Sequence, residues 1–592
     1  LKKRGYVSYA GYQVQENLQI PTCCPGLVYV RAEEITADPK KMKTVSLEGG
    51  SVKICWNKVK VAKSSFLDKG KRWDDFEVRD MEILRRFSST PSFSHVLAGI
   101  GCSGARPMVS ARSAYNQSKA LLGRVFRLPS EREWGRGPKP GTWKWAAQFV
   151  DYLLPDFRTS KMSVEDWIAS MPARRRSPLK RAAERYRQSG WRRSYEKFSS
   201  FVKTELLPGF GKSDVELTRL TGMIDRLIQG PADETHVIAG PYLKPLVYAL
   251  KKIWGPDSAI FYGSAGPEAL HKFLEEKLID GARQYFWCDF SMYDNTHSEE
   301  SWEFMAKLYR RAGIHDSDFW RVFEAWKAPR GTIGPFKYQA RVMNASGRDD
   351  TALANGILNG FATYLSVAAA WLEIELEELT PAMLAPLKSI IVLSVCGDDS
   401  LGSIPPMPEE FMIGFRKRVA QNIAKFGFEA KLETSTRLCD AVYLGMRPYP
   451  VAGRWFWGKT IGRATYKMGW VVKKDNADAM AHITGIADMH CLCSRHVPVL
   501  SDLAAKIVEL RKGAKRTPIT MDPDRPWEWT LKGEVEYDYS TLEHVATTYT
   551  RKGVTVRVDD VLDLIKKIRA IERLPQVLDH WLWRHMIHAD DL

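Results

Sequence analysis

The segment SIIVLSVCGDDSLGSI, Ser389 to Ile404, constrains the chain more than any other. An apolar run, a Gly-Asp-Asp turn and a second short run predict a tight β-hairpin, with Gly397 supplying the backbone freedom the turn needs. Such a hairpin holds Asp398 and Asp399 in the open at its tip. Adjacent carboxylates repel, so the tip calls for a compensating cation. An ordinary Asp-rich turn is the plain alternative, and the motif alone leaves that alternative favoured, since short motifs recur by chance.

Two further segments reverse the odds. WCDFSMYDNTHSEESW, 287–302, places Asp289 at the end of a β-like run and Asp294 five residues on. A helix is predicted over Ser298–Arg311, with Ser298 as its N-cap. If Asp289 is brought beside Asp398 and Asp399, the three carboxylates suit two Mg2+ or Mn2+ ions, hard cations that prefer oxygen. Two such ions about 4 Å apart activate an attacking hydroxyl and stabilise a leaving pyrophosphate. Between the two acidic segments lies NASGRDDTALANGILNGF, 344–361. Ser346-Gly347 reads as a flexible loop, and Asp349 and Asp350 as partners for arginines elsewhere. Thr351, Asn355 and Asn359 recur every four residues on one helix face. That pattern reads plainly as an N-capped helix. Its functional reading is a polar face that, with Asp294, hydrogen-bonds a ribose 2′-hydroxyl and so separates RNA from DNA building blocks.

These residues resemble the palm of a viral RNA-dependent RNA polymerase. DFSMYD is similar to motif A, SGRDDTALAN to motif B and CGDD to motif C, in the standard order. The Gly-Asp-Asp favours positive-strand RNA viruses over reverse transcriptases. FVKTELL (201–207) and RLIQG (226–230) resemble the fingers pattern of tombusvirus- and nodavirus-like enzymes, and GPYLKPLVYALKKIWG (240–255) fits the helix after it. GFEAKLE (427–433) looks like motif D and AVYLGMRPYP (441–450) like motif E. The resemblance spans about 165 to 450. It implies an α+β right hand of fingers, palm and thumb, with an antiparallel palm sheet and helical fingers and thumb. Its implied divisions are an amino-terminal extension (1–135, a relation to the fingertips left open), fingers (136–280), palm (281–311), a fingers insertion (312–343), palm (344–450), and thumb with the carboxy-terminal region (451–592). It further implies that Asp289, Asp398 and Asp399 hold the metal ions. Asp294, Ser346, Gly347, Thr351 and Asn355 bind the nucleotide, and Arg226 and Lys203 its triphosphate. Lys431 is the general acid, with Lys425 as a nearby competitor. The implied partners are an RNA template and nascent strand, nucleoside triphosphates, and other viral replication proteins or capsid. The implied location is the host cytoplasm, with membrane-associated replication sites reached through a partner.

Charge points the same way. The chain of 592 residues carries 87 Lys+Arg against 70 Asp+Glu, a net +17. Nearly half of that excess sits in RRRSPLKRAAERYRQSGWRR, 174–193, where nine basic residues meet only Glu184. Arg174, Arg175, Arg176, Lys180, Arg181 and Arg185, with Tyr186, Trp191 and Tyr195 interleaved, suit an RNA backbone or a triphosphate channel; a solvated helix face is the bland reading. Nine cysteines, an odd and sparse set, argue for a reducing compartment, with Cys23-Cys24 read as buried. The start lacks the apolar stretch of a secretory signal. Thr351–Leu372 carries no charge, yet its asparagines and glycines favour a buried helix over a membrane span. HCLCSRH, 490–496, has i, i+2 cysteines that fit structural zinc poorly. Trp527, Trp529, Trp581 and Trp583 read as core, one of them also as a stacking platform for the first nucleotide. No P-loop is present.

Overall fold

The computed structural model describes residues 129–206, 226–472, 478–517 and 535–591 apart from single positions. It also describes parts of 95–126 and the short strands 6–8, 29–31, 44–47 and 50–54. Cys23, Cys24, Trp527 and Trp529 lie outside the described residues.

Helices and small sheets intermix in an α+β arrangement. The elements around the site are α1 (Ala173–Ser189), α2 (Asp233–Ile253), β1 (Ile260–Tyr262), β2 (Gln284–Phe290), α3 (Glu299–Arg311) and α4 (Thr351–Leu372). They continue with β3 (Val392–Cys396), β4 (Asp399–Ile404), α5 (Glu409–Lys425) and β5 (Ala430–Ser435). After them come a hairpin of β6 (Met446–Val451) and β7 (Arg454–Lys459), then α6 (Ile461–Met468) and, at the end, α7 (Trp581–Asp591).

The central sheet has the order β1-β3-β4-β2-β5. All its pairings are antiparallel except β1 with β3, which run parallel, so the expected antiparallel sheet carries one parallel edge. The predicted β3–β4 hairpin forms with Cys396 opposite Asp399. Gly397 has φ +62° in its turn, a left-handed conformation that side chains disfavour. Against the sheet packs α4, buried from Leu353 to Ala370, which explains an uncharged run without any bilayer. No helix among the described residues is long and apolar enough to cross a membrane. Helix α5, with Phe415, Val419 and Ile423 at four-residue spacing on its buried face, closes the same core.

A second sheet runs in the order 227–230, 197–202, 330–333, 336–340, 50–54, 44–47. Amino-terminal segments also reach the far end of the chain. His95–Leu97 pairs with Trp470–Val472, and Ile100–Cys102 lies parallel to Gln576–Leu578. There they join a carboxy-terminal core of Ile461, Leu500, Val545, Leu564, Trp583 and Met586.

Candidate active site

The site follows from strand register. Strands β2 and β4 pair up to Cys288 opposite Ser400, so Asp289 and Asp399 are the next residues on neighbouring strands. Asp398 precedes Asp399 in the turn. Along β2, Cys288 and Phe290 are buried while Asp289 is exposed, the period-2 alternation of a pleated strand. Past Phe290, Met292 takes a left-handed conformation (φ 53°) and sends the chain into a short turn over Tyr293–Asn295. That turn carries Asp294 back toward the strand ends.

All four aspartates line one cleft of about 1900 Å3. Small-molecule pockets occupy roughly 300–1,000 Å3, so this one has room for a polymer. The side-chain carboxylates of Asp289, Asp398 and Asp399 have no hydrogen bond or ion pair among the described residues. Enclosure by protein, then the charges of Asp398 and Asp289, push the Asp399 carboxyl up to about 7, while Arg463 and Arg226 pull it down. No group of three or more His, Cys, Asp or Glu side chains among the described residues could hold a metal ion. The donor chemistry nonetheless fits a hard cation of the Mg2+ type. Such an ion keeps several waters and takes one or two carboxylates plus substrate phosphates rather than a closed protein cage.

Asp294 and Asn355 meet. The Asn355 side-chain amide donates to Asp294 at 2.8 Å, and its carbonyl accepts from Asn344 at 2.6 Å. His297 Nε2 lies 2.9 Å from that same carbonyl. Burial holds His297 down at about 3, so it is neutral at physiological pH and serves as the second donor. Asn355 is thereby fixed with its NH2 toward Asp294. Burial raises Asp294 to about 6. Asn344 and His297 were not singled out from the sequence, although both stand in the segments that carry the motifs; two polar residues flanking a key Asn are the signal that was there.

Other residues are placed differently from expectation. The Thr351 hydroxyl donates to the Ala345 carbonyl at 2.9 Å, tying down its own loop. The Ser346-Gly347 loop is pinned, not free: Ser346 Oγ donates to the Leu227 carbonyl at 2.8 Å, and a Cβ on Gly347 would lie 2.3 Å from the Gln229 carbonyl oxygen. Asp350 pairs with its own neighbour Arg348, both buried, and Asp349 with His236 at 2.8 Å. Arg348 in turn lies over Trp302, 4.4 Å from the ring centre. Asn359 donates to the carbonyls of Gly397 (3.0 Å) and Asp399 (3.2 Å), holding the acidic turn against α4.

Lys203 and Arg226 fall side by side as their strands pair, and both face Glu205, at 2.9 and 3.7 Å. Arg226 lines the cleft and Lys203 does not. Lys431 stands opposite Asp289 in the β2–β5 ladder, exposed and paired with Glu433. The competing Lys425 is engaged by Glu375 and Glu377.

The basic helix is the largest displacement. None of residues 174–193 lines the cleft. Tyr186 bonds to Asp318, Tyr195 is buried, and Trp191 packs edge-on against Tyr195, so these rings are committed to packing. The cleft's cations come instead from Arg112, Arg124 and Arg226 on one side and Lys459, Arg463 and Lys467 on the other. Arg463 and Lys467 stand four residues apart on one face of α6, a spacing legible in GRATYK, while Lys459 ends β7 just before that helix. Of the carboxy-terminal tryptophans, Trp583 is core and Trp581 is 42% exposed outside the cleft. His490 bonds to Ser494 and His496 to the Trp457 carbonyl. Compared with known proteins, the chain matches no protein-family model and no curated protein.

Proposed function

We propose that this chain is an RNA-dependent RNA polymerase of a positive-strand RNA virus, built as fingers, palm and thumb. One observation carries the reading. Three unpaired carboxylates, Asp289, Asp398 and Asp399, stand at adjoining strand ends in a cleft of polymer size, beside a hydrogen-bonded Asp294–Asn355 pair. Acids kept together without an ion-paired protein cation suit divalent metal, and Mg2+ or Mn2+ bound there would ease deprotonation of a reacting hydroxyl and stabilise negative charge on phosphate oxygens. Asp294 and Asn355 would accept from and donate to a ribose 2′-hydroxyl, selecting NTPs. Arg226 on one side and Arg463 on the other would neutralise triphosphate and backbone. The protein's share of catalysis is positioning and charge compensation.

Primer extension on an RNA template with Mg2+ or Mn2+ tests the proposal. NTPs are expected to be incorporated well above dNTPs, and Asp398→Asn to abolish incorporation while RNA binding persists. Equal use of dNTPs would make the chain a reverse transcriptase. A chain that binds RNA but never extends it, beside an active control polymerase, would be a non-catalytic RNA-binding protein.

A further inference from the structure

We infer that the outer face of α1 is a second RNA-docking surface, separate from the cleft and reading phosphate charge alone. The cations of this helix fall into two sets. Arg175 and Arg185 are neutralised by Asp233 (2.9 Å) and the buried Glu234 (2.7 Å) of α2, which fastens the helix to its neighbour, and Arg187 by Glu184 (2.9 Å) and Glu165 (3.1 Å). Arg174, Arg176, Lys180 and Arg181 are exposed and have no carboxylate partner among the described residues; Arg176 donates only to the Met171 carbonyl and Arg181 to the Ser177 hydroxyl. The buried residues of its inward stripe, Leu179, Ala182 and Ala183, pack against α2 and the short helix Val164–Ala169.

The four cations without an acidic partner span eight residues, about 10 Å of helix at 1.5 Å per residue, the distance between phosphates one or two nucleotides apart. Glu184, the one carboxylate on this helix, is taken up by Arg187 and Gln188, so the four cations stay complementary to a polyanion. Base stacking is excluded from the mode of binding, because Tyr186 and Tyr195 are turned inward. A membrane-surface helix needs an apolar face free to enter the headgroup layer, and here that face is already packed. RNA held through its backbone is the occupant that remains. The inference concerns binding and stands or falls separately from the catalytic reading.

Four phosphate contacts contribute a salt slope of about 0.7 each for single strands, close to 3 in total, or roughly a 50-fold loss of affinity between 50 and 200 mM salt. The test is the affinity of the full chain for a long single-stranded RNA as a function of salt, measured beside the variant Arg174→Ala/Arg176→Ala/Lys180→Ala/Arg181→Ala. All four side chains are exposed, and an unchanged melting temperature confirms the fold. Weaker binding at 50 mM salt and a slope smaller by about 3 would support the inference. An unchanged slope would overturn it and leave a solvated helix face. So would unchanged RNA binding together with loss of flotation on vesicles of anionic lipid, which would assign the face to a membrane.

Discussion

Asn359 shows how much of the chemistry rests on side chains that touch no substrate. Its amide spans the Gly397 and Asp399 carbonyls, so the turn bearing two acids is held from α4 and not by its own hairpin alone. Asn359→Ala removes both hydrogen bonds to the turn, each worth about 1 kcal/mol net, along with the one accepted from Thr363, and frees the turn to drift. The expected result is a fall of about tenfold in kcat for nucleotide incorporation with KM for NTP unchanged, read in steady-state extension. Asn355→Ala is different in kind. It removes a bond to the Asp294 carboxylate worth about 1.5–3 kcal/mol, so discrimination between NTP and dNTP should narrow by roughly 10- to 100-fold while metal dependence stays the same. The acids also make a pH prediction. Asp294 and Asp399 hold their protons more tightly in the fold, at about 6 and about 7, than in the unfolded chain. Their contribution to stability is therefore present below about pH 4 and lost as the pH climbs through 6 and 7. Mg2+ competes with the proton at Asp399, so it should raise Tm at pH 8 and have little effect at pH 5, as thermal melts with and without chelator would show.

At the scale of elements, the Ser346-Gly347 loop ahead of α4 is packed more closely than its composition suggests. Gly347 lies so close to the strand Leu227–Gly230 that an added methyl would meet the Gln229 carbonyl. Gly347→Ala should cost about 1–3 kcal/mol of stability through forced separation of loop and strand, measured by urea unfolding, and should slow incorporation as well. What could be read beforehand divides along physical lines. The β3–β4 hairpin, the strand carrying Asp289 and the helix over 351–372 were legible, because local periodicity and turn chemistry set them. The Asp294–Asn355 meeting was legible from helical spacing and segment order. The fate of Arg348 and Asp350 was not. Two adjacent-looking charges can point anywhere, and only the tertiary placement of Trp302, Trp326 and Tyr309 makes a buried pair in that loop favourable. The arginine run misled for a related reason: a count of charges says nothing about which are already paired, and Asp233 and Glu234 lie some fifty residues away in sequence.

Across the whole molecule, the ends of the chain hold the middle in place. Strands 95–97 and 100–102 pair with segments near 470 and 576, contacts across more than 370 residues that no local pattern announces. The carboxy-terminal helix α7 continues this through one residue. Asp590 accepts from the Gly462 amide at 2.6 Å, at the first turn of α6, and from Tyr549 at 2.8 Å; its other oxygen faces Arg447 of the β6–β7 hairpin at 3.4 Å. Helix α6 carries Arg463, which with Arg226 opposes the raised proton affinity of Asp399. The last helix thus sets the wall of the cleft facing the acids. Both Asp590 and Arg447 are withdrawn from water, at 0% and 3% side-chain exposure, so removing one strands the other's charge. Asp590→Ala should cost about 3–5 kcal/mol, and Arg447→Met alone a comparable amount. Removing both charges in Arg447→Met/Asp590→Leu should cost less than the sum of the two, since neither is left buried and unpaired. Urea unfolding of the three variants measures that coupling. If the pair matters only to stability, the double variant regains incorporation in step with its fold. If the Asp590 carboxylate also sets α6, the double variant folds yet keeps a raised KM for NTP, because the Gly462 amide has lost its acceptor and Arg463 no longer stands where the triphosphate needs it.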